Sequence, residues 1–561
     1  MHPPRLAGLL FGLGLFAVLA PSPGRTDDLD LQVPETPAGF ALDVGFPTPD
    51  AATAGAIDVP AVPETVVLVP PPEPSAAATT ASAAPTASAA AQASAAPQAF
   101  APALDLPAPA EASASIPEVE ALAGAIEVRL ADPKLPLPPK LSRRDREALA
   151  AAYAANRFRP LWIADGAWTH PAEAVASRLG RADEDGLDPV DYPVPRLKGG
   201  LAQPAPADLA EADLKLSALA FLYARDARGG RVEPGRISGL VTPKLVLPTV
   251  EAVLSALRSA SDPDTALQSF NPVHPGYKAL RAKLAELRET RPAGPMVRNG
   301  ARAGGPMLAS TDGDIPAEGR GLRAASPRLE GDIVANMERW RWLPVEVAPR
   351  SIMVNVPEFR LRVMQNGRVA HETRVITGNP KTPTPIFSGL MEYAIVNPSW
   401  FIPPSILKKE ILPGLAKDPT YAARRGYEVV RRGNAVSVRQ PPGAGNALGY
   451  IKFMFPNDHA VYLHDTPNRG LFGSAQRAFS HGCVRVEQPF ALGGEIIGGG
   501  WTEARLKSLI GRGERTIFLA EKLPVNLTYF TVSIDEYGSV RTFDDLYGYH
   551  RRVRMALGLG A

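Results

Sequence analysis

Residues 70–110 (PPPEPSAAATTASAAPTASAAAQASAAPQAFAPALDLPAPA) set the tightest limit on what this chain can fold into. Proline fixes φ and removes a backbone donor, so neither a helix nor a central strand tolerates this spacing. Bulky apolar side chains are too few to offset the entropy of ordering the backbone. The wider composition agrees, with 59 prolines in 561 residues, roughly double the usual ~5 %. We therefore read residues 21–139 as a flexible, partly extended tether. The rest is too long for one hydrophobic core, since domains usually run about 100–200 residues.

Ahead of the tether, Arg5 and the apolar run 6–20 (LAGLLFGLGLFAVLA) have the form of an export signal, and Val18-Leu19-Ala20 resembles a cleavage site. The run is short for a bilayer span of about 20 residues. Residues 1–20 are thus expected to be a signal peptide, with an uncleaved membrane anchor as the alternative. Both place the remainder outside the cytoplasm. Charge is balanced, 60 Lys+Arg against 58 Asp+Glu, which argues against a nucleic-acid partner. A single cysteine excludes an intramolecular disulfide framework and a multi-cysteine zinc site.

Order is expected from about residue 140. Ser142 and Asp145 have the spacing of a helix N-terminal capping box, opening an amphipathic run to Tyr153. Apolar stripes at 209–225, 250–257 and 277–287 predict more helices, so 140–290 reads as a helical scaffold, with Trp162 in its core. Residues 291–327 are rich in Gly, Pro and Arg and read as a loop. Helical period returns at 329–342. From there to 550 strands dominate: 351–356, 360–364, 368–376, 391–396, 460–464 and 516–520, with short helices at 405–412 and 501–510. Gln365-Asn366-Gly367 signals a tight hairpin, and 529–534 with 539–543 a second one around Asp535-Glu536-Tyr537-Gly538.

The chemistry concentrates around the one thiol, in Ser480-His481-Gly482-Cys483-Val484-Arg485. His464, nineteen residues upstream, closes a strand in Tyr462-Leu463-His464-Asp465. A thiolate is a nucleophile, and a nearby imidazole lowers the thiol pKa or takes its proton. Gly482 permits backbone geometry that a side chain forbids. Arg485 adds positive charge suited to a carboxylate. A lone cysteine can also be a buried small hydrophobe. The glycine, the two histidines and the export signal weigh against that, because a reactive thiol in an oxidising compartment needs a reason.

The string Ser480-His481-Gly482-Cys483-Val484-Arg485, with His464 upstream, resembles the active-site signature of YkuD-type L,D-transpeptidase catalytic domains. Glu338-Arg339-Trp340-Arg341-Trp342-Leu343-Pro344, Val354-Asn355-Val356-Pro357-Glu358-Phe359-Arg360-Leu361, Asn397-Pro398-Ser399-Trp400 and Asp544-Asp545-Leu546-Tyr547-Gly548-Tyr549 extend the likeness to the large, YcbB-like branch. The resemblance implies an α+β protein: a mostly β catalytic domain over 328–550, sandwich-like with a few helices and a capping insertion at 413–450, behind the α-rich scaffold. It implies Cys483 as nucleophile and His464 as general base, with His481 as the rival base. Backbone N–H groups around Gly482 and Cys483 would form the oxyanion hole, Gly482, His481 and Ser480 would shape the site, and Arg485 and Tyr462 would contact substrate.

The implied reaction is attack on the diaminopimelate–D-Ala bond of a peptidoglycan tetrapeptide stem in the periplasm. A second stem then takes the acyl group in a 3→3 cross-link, with no cofactor or metal. Hydrolysis of stems, attachment of proteins to peptidoglycan, and a non-catalytic wall-binding scaffold are the competing readings. The residue after His464 is Asp465, where relatives often carry a small one. No signature of a peptidoglycan-binding module is seen between Tyr277 and Leu329.

Overall fold

The computed structural model describes residues 116–197, 204–289, 317–432 and 435–560. The expected signal at 1–20, most of the tether and most of the 291–327 loop lie outside these residues. The first helix, α1 (Ile116–Ala131), falls inside the segment read as tether. Leu122 and Ile126, four residues apart, share one helix face and are buried in the scaffold core, and Arg129 pairs with Glu211. The tether reading ran too far because an apolar pair in an Ala-rich background has meaning only where another helix receives it.

Scaffold helices follow as α2 (Arg143–Ala155), α3 (His170–Gly180), α4 (Pro206–Gly229), α5 (Val250–Ser259) and α6 (Pro275–Glu289). The Ser142–Asp145 capping box forms as expected. Helix α4 is buried on nearly every side, as its central place requires, and its buried Asp213 accepts from Tyr153 Oη at 2.5 Å. Trp162 is core, its indole N–H donating to Ser217 Oγ at 2.7 Å.

Helix α7 (Ala317–Trp340) starts well before the expected 329. The Glu338–Trp342 string bolts the end of this helix into the scaffold. Buried Arg341 donates to Asp185 O (2.5 Å), Asn271 Oδ1 (3.2 Å) and Ala227 O (3.2 Å). Glu338 Oε1 accepts the Val232 amide at 2.6 Å.

Beyond α7 come strands β1 (Arg350–Asn355), β2 (Arg360–Gln365), β3 (Arg368–Gly378), β4 (Phe387–Val396), β5 (Trp400–Phe401), β6 (Glu428–Arg432) and β7 (Ala435–Gln440). After them run β8 (Ile451–Met454), β9 (Leu463–His464), β10 (Ala478–Ser480), β11 (Val484–Val486), β12 (Arg515–Thr528), β13 (Val532–Ile534) and β14 (Val540–Thr542). Asn366 and Gly367 both take positive φ (49° and 78°) in the two-residue turn between β2 and β3, as the Asn-Gly signal requires. Strands β13 and β14 form the last expected hairpin.

The main sheet runs β10-β3-β11-β9-β8-β4-β12-β1-β2, and β2 also pairs with β3. The pairings thus return on themselves, so the two layers expected of a sandwich are one continuous sheet wrapped around its core, within a mixed α+β fold. Inward positions follow the period of two: Ile352 and Val354, Leu361 and Val363, Ile451 and Phe453, Leu463, Val484 and Val486.

Between β4 and β8 the chain leaves the main sheet. Strands β5, β7 and β6 make a separate three-stranded sheet, with a core of Ile402, Ile411 and Val438. This insert begins at Trp400, earlier than the expected 413, because Ile402 and Ile411 belong to its core. Its first helical stretch passes through a π-turn at Leu407–Ile411.

Candidate active site

Parallel pairing of β9 with β11 matches Leu463 to Val484 and His464 to Arg485. The Val484 amide also donates to Tyr462 O at 3.1 Å, which carries the register back one step towards Cys483. Since side chains alternate, Leu463 and Val484 enter the core while His464 and Arg485 point to the other face. Tyr462 and Cys483, two residues before them, share that outward face. On the far side of β9, Lys452 of β8 pairs with His464 and joins it. Lys452, His464 and Arg485 from three strands, with Tyr462 and Cys483 just ahead of two of them, therefore meet on the outside of the sheet.

His464 is 4 % exposed, and its Nδ1 meets the backbone carbonyl of Asp465. A carbonyl only accepts, so Nδ1 carries the proton and Nε2 keeps the lone pair. The imidazole is thereby set as a base. Burial first, and then Arg485, push its pKa down to about 3. Cys483 moves the opposite way, to about 11, chiefly through burial; the Tyr462 amide, Arg485 and the Tyr462 hydroxyl pull it back only in part. Thiol and imidazole are both neutral at pH 7. The resting site is not an ion pair.

Burial and the Cys483 thiol raise the pKa of the Tyr462 hydroxyl, and Trp400 acts on it in the opposite direction. The Tyr462 and His464 rings meet edge to face, 5.6 Å between centroids. Lys452 Nζ stands 5.7 Å from the Tyr462 ring centroid. Burial lowers the pKa of both Lys452 and Arg485. Neither makes an ion pair among the described residues, and Arg485 Nε is buried without an acceptor. Two unneutralised cations beside a thiol suit a substrate carboxylate.

The nucleophile loop is braced from within. Ser480 Oγ donates to Cys483 O at 2.5 Å and accepts the Gly482 amide at 3.1 Å. Of the two amides implied for an oxyanion hole, the Gly482 N–H already has this partner inside the loop. The Cys483 amide, which has no acceptor among the described residues, remains for an oxyanion. Gly482 takes φ +114°, a conformation strained for any other residue. Its carbonyl accepts Thr384 Oγ1 at 2.9 Å. Tyr547 in turn holds the Thr384 turn, donating to Gly378 O at 2.6 Å and accepting the Thr384 amide at 3.2 Å.

His481 is exposed and does not share the buried setting of His464; its Nε2 lies 3.1 Å from Glu410 Oε1 in the insert's π-turn. Asp465 is buried. Its Oδ2 accepts the Tyr450 amide at 2.9 Å, where the insert returns to β8, and its Oδ1 lies 3.0 Å from Arg469. The backbone of Asp465 orients the histidine and its carboxylate anchors the insert.

Sequence reasoning missed Lys452, Trp400, Glu410, Thr384 and Tyr547. Two of these, Trp400 and Tyr547, stood in strings already singled out, without a role. A hollow of about 1650 Å³ between the scaffold, β1, β2 and β4 contains neither Cys483 nor His464 and is not this site.

The site thus combines a buried histidine, a thiol on a glycine-strained loop and two cations without ion-pair partners among the described residues. Residues 349–493 match the L,D-transpeptidase catalytic domain model, and residues 147–284 match the Scaffold domain model. A candidate L,D-transpeptidase of Haemophilus influenzae is 34 % identical over 243 residues, covering 40 % of this chain and 49 % of that protein. The chain thus matches about half the length of this curated relative. Among solved structures, an L,D-transpeptidase from Mycobacterium smegmatis is 13 % identical with a TM-score of 0.17, covering 32 % of this chain and 59 % of that one. The E. faecium L,D-transpeptidase catalytic domain acylated by ertapenem is 15 % identical with a TM-score of 0.15, covering 32 % and 98 %. The chain carries a YkuD-type L,D-transpeptidase catalytic domain behind a scaffold domain.

Proposed function

We propose that this chain is an exported L,D-transpeptidase that makes 3→3 peptidoglycan cross-links in the periplasm through an acyl-enzyme on Cys483. The observation that carries this is the shared outward face of Tyr462, His464, Cys483 and Arg485, with the His464 tautomer fixed by Asp465 O. Lys452 and Arg485 bind carboxylates of the donor stem and place its diaminopimelate–D-Ala carbonyl at the sulfur. As sulfur attacks, its proton passes to His464 Nε2. The developing oxyanion meets the Cys483 amide. His464 then protonates the departing D-Ala amine, leaving a thioester. The side-chain amine of a second stem attacks that thioester, passes a proton through His464 to the sulfur, and closes the cross-link.

Purified protein incubated with disaccharide-tetrapeptide and followed by mass spectrometry should yield a cross-linked dimer and free D-Ala. Tripeptide alone would make the chain a stem hydrolase, and no product from folded protein would leave the non-catalytic scaffold. A carbapenem offers a strained carbonyl to the same sulfur, so it should add one drug mass to wild type and none to Cys483→Ala.

A further inference from the structure

The charge around the thiol is lopsided. The strand face presents Lys452 and Arg485, a neutral imidazole and a neutral phenol. That suits a donor bearing carboxylates and opposes an acceptor that arrives as an ammonium, since alkylamines of this kind have a pKa near ~10.4. Among the described residues, the carboxylate paired with the Ser480–Cys483 loop is Glu410. It comes from the insert, its Oε1 lying 3.1 Å from Nε2 of His481, two residues before the thiol. Glu514 acts on Lys452, but its carboxylate is held by the Ser399 amide at 2.5 Å. Asp465 is buried behind the histidine under Tyr450 and Arg469.

From this juxtaposition we infer that Glu410 is the acceptor-specificity residue: its carboxylate binds the incoming primary ammonium of the second stem and sets the choice between amine and water. The inference rests on the transpeptidase reading above. Side chains of Glu410 and His481 are 49 % and 47 % exposed, and pairs so open to water hold weakly. An arriving ammonium therefore exchanges with His481 at little cost and gains a charge-assisted hydrogen bond. Lys408 and Lys409, exposed beside Glu410, do not pair with it among the described residues.

The step balances. The bound ammonium gives one proton to solvent. The neutral amine attacks the thioester carbon, its second proton goes to His464 Nε2, and that proton reaches sulfur as the C–S bond breaks. Water has no charge for Glu410 to hold, so hydrolysis gains nothing from it.

Glu410→Gln keeps the size and an acceptor oxygen for His481 while removing the charge. In the full chain, two readings are compared: the rate of carbapenem adduct formation on Cys483, and the ratio of dimer to tripeptide from tetrapeptide over a range of acceptor concentrations. Adduct formation should stay within twofold of wild type, while the dimer-to-tripeptide ratio falls about tenfold or more, as loss of a charged hydrogen bond implies. Glu410→Asp should recover part of the ratio. An unchanged ratio in Glu410→Gln overturns the inference. So does a parallel fall in adduct formation and dimer yield, which marks the Glu410–His481 contact as a loop brace. Wild type that takes the adduct but yields only tripeptide overturns the transpeptidase reading itself, and the wild-type control separates that result from a failure of Glu410 alone.

Discussion

Replacing His464 by alanine tests the mechanism at its most exposed point. The thiol pKa is pushed up to about 11, so about one thiol in 10⁴ is ionised at pH 7. The imidazole, pushed down to about 3, is neutral throughout the working range. In wild type both partners are therefore in their reacting forms from about pH 5 to pH 9, and the proton leaves sulfur only as the new bond forms. Acylation by a carbapenem, followed by rapid mixing and intact-protein mass spectrometry at constant ionic strength, should be flat across that range. His464→Ala removes the base and leaves only free thiolate. Its rate at pH 7 should fall about 10²–10⁴-fold, the usual weight of a general base. It should then climb about tenfold per pH unit, because thiolate does so below its pKa. His481→Ala should keep the plateau. A wild-type rate climbing tenfold per unit, or a flat residual rate in His464→Ala, would refute the assignment of His464 as base.

Other outcomes rest on neighbouring contacts. Arg485→Ala removes a charged carboxylate partner and one of the groups restraining the thiol pKa, so kcat/KM for acylation should drop roughly tenfold or more; an unchanged value would make Arg485 a structural brace. Tyr547→Phe deletes the bonds to Gly378 O and the Thr384 amide, and should cost about 1–3 kcal/mol in denaturant unfolding while slowing acylation. Full stability would refute the propping of the nucleophile loop. Buried His274 has its pKa pushed down to about 4 by burial. Between that value and the unfolded ~6.5 the unfolded chain binds the extra proton, so stability falls as pH drops through this window and levels below it. The contribution is about 3 kcal/mol, and His274→Gln should flatten the pH dependence of the unfolding midpoint by that amount.

Local codes in the chain were legible where the physics is local. The Asn366-Gly367 turn, the Ser142–Asp145 cap and the alternating strands need only neighbouring residues to be recognised. Cys483 and His464 stood out because thiol chemistry restricts the residue types around it. The bond from the Gly482 amide to the Ser480 hydroxyl was not legible, because the closure of that turn cannot be read from the string. Helix α1 was missed for a similar reason, since Leu122 and Ile126 gain meaning only against the rest of the scaffold.

The sequence by itself singled out the one cysteine and the histidine upstream of it as candidates, and determined the order of helical and strand-rich regions and a family likeness carried by short strings. The tertiary structure alone decided who faces whom. Pairing of β8, β9 and β11 placed Lys452, His464 and Cys483 on one face although they are scattered over more than thirty positions. The insert, from its start at Trp400 to its return at Tyr450, set Trp400 near Tyr462, Glu410 against His481 and Asp465 under Tyr450. The reason is physical: alternation along a strand is written in the chain, whereas register between strands is fixed only when the core on the other face closes.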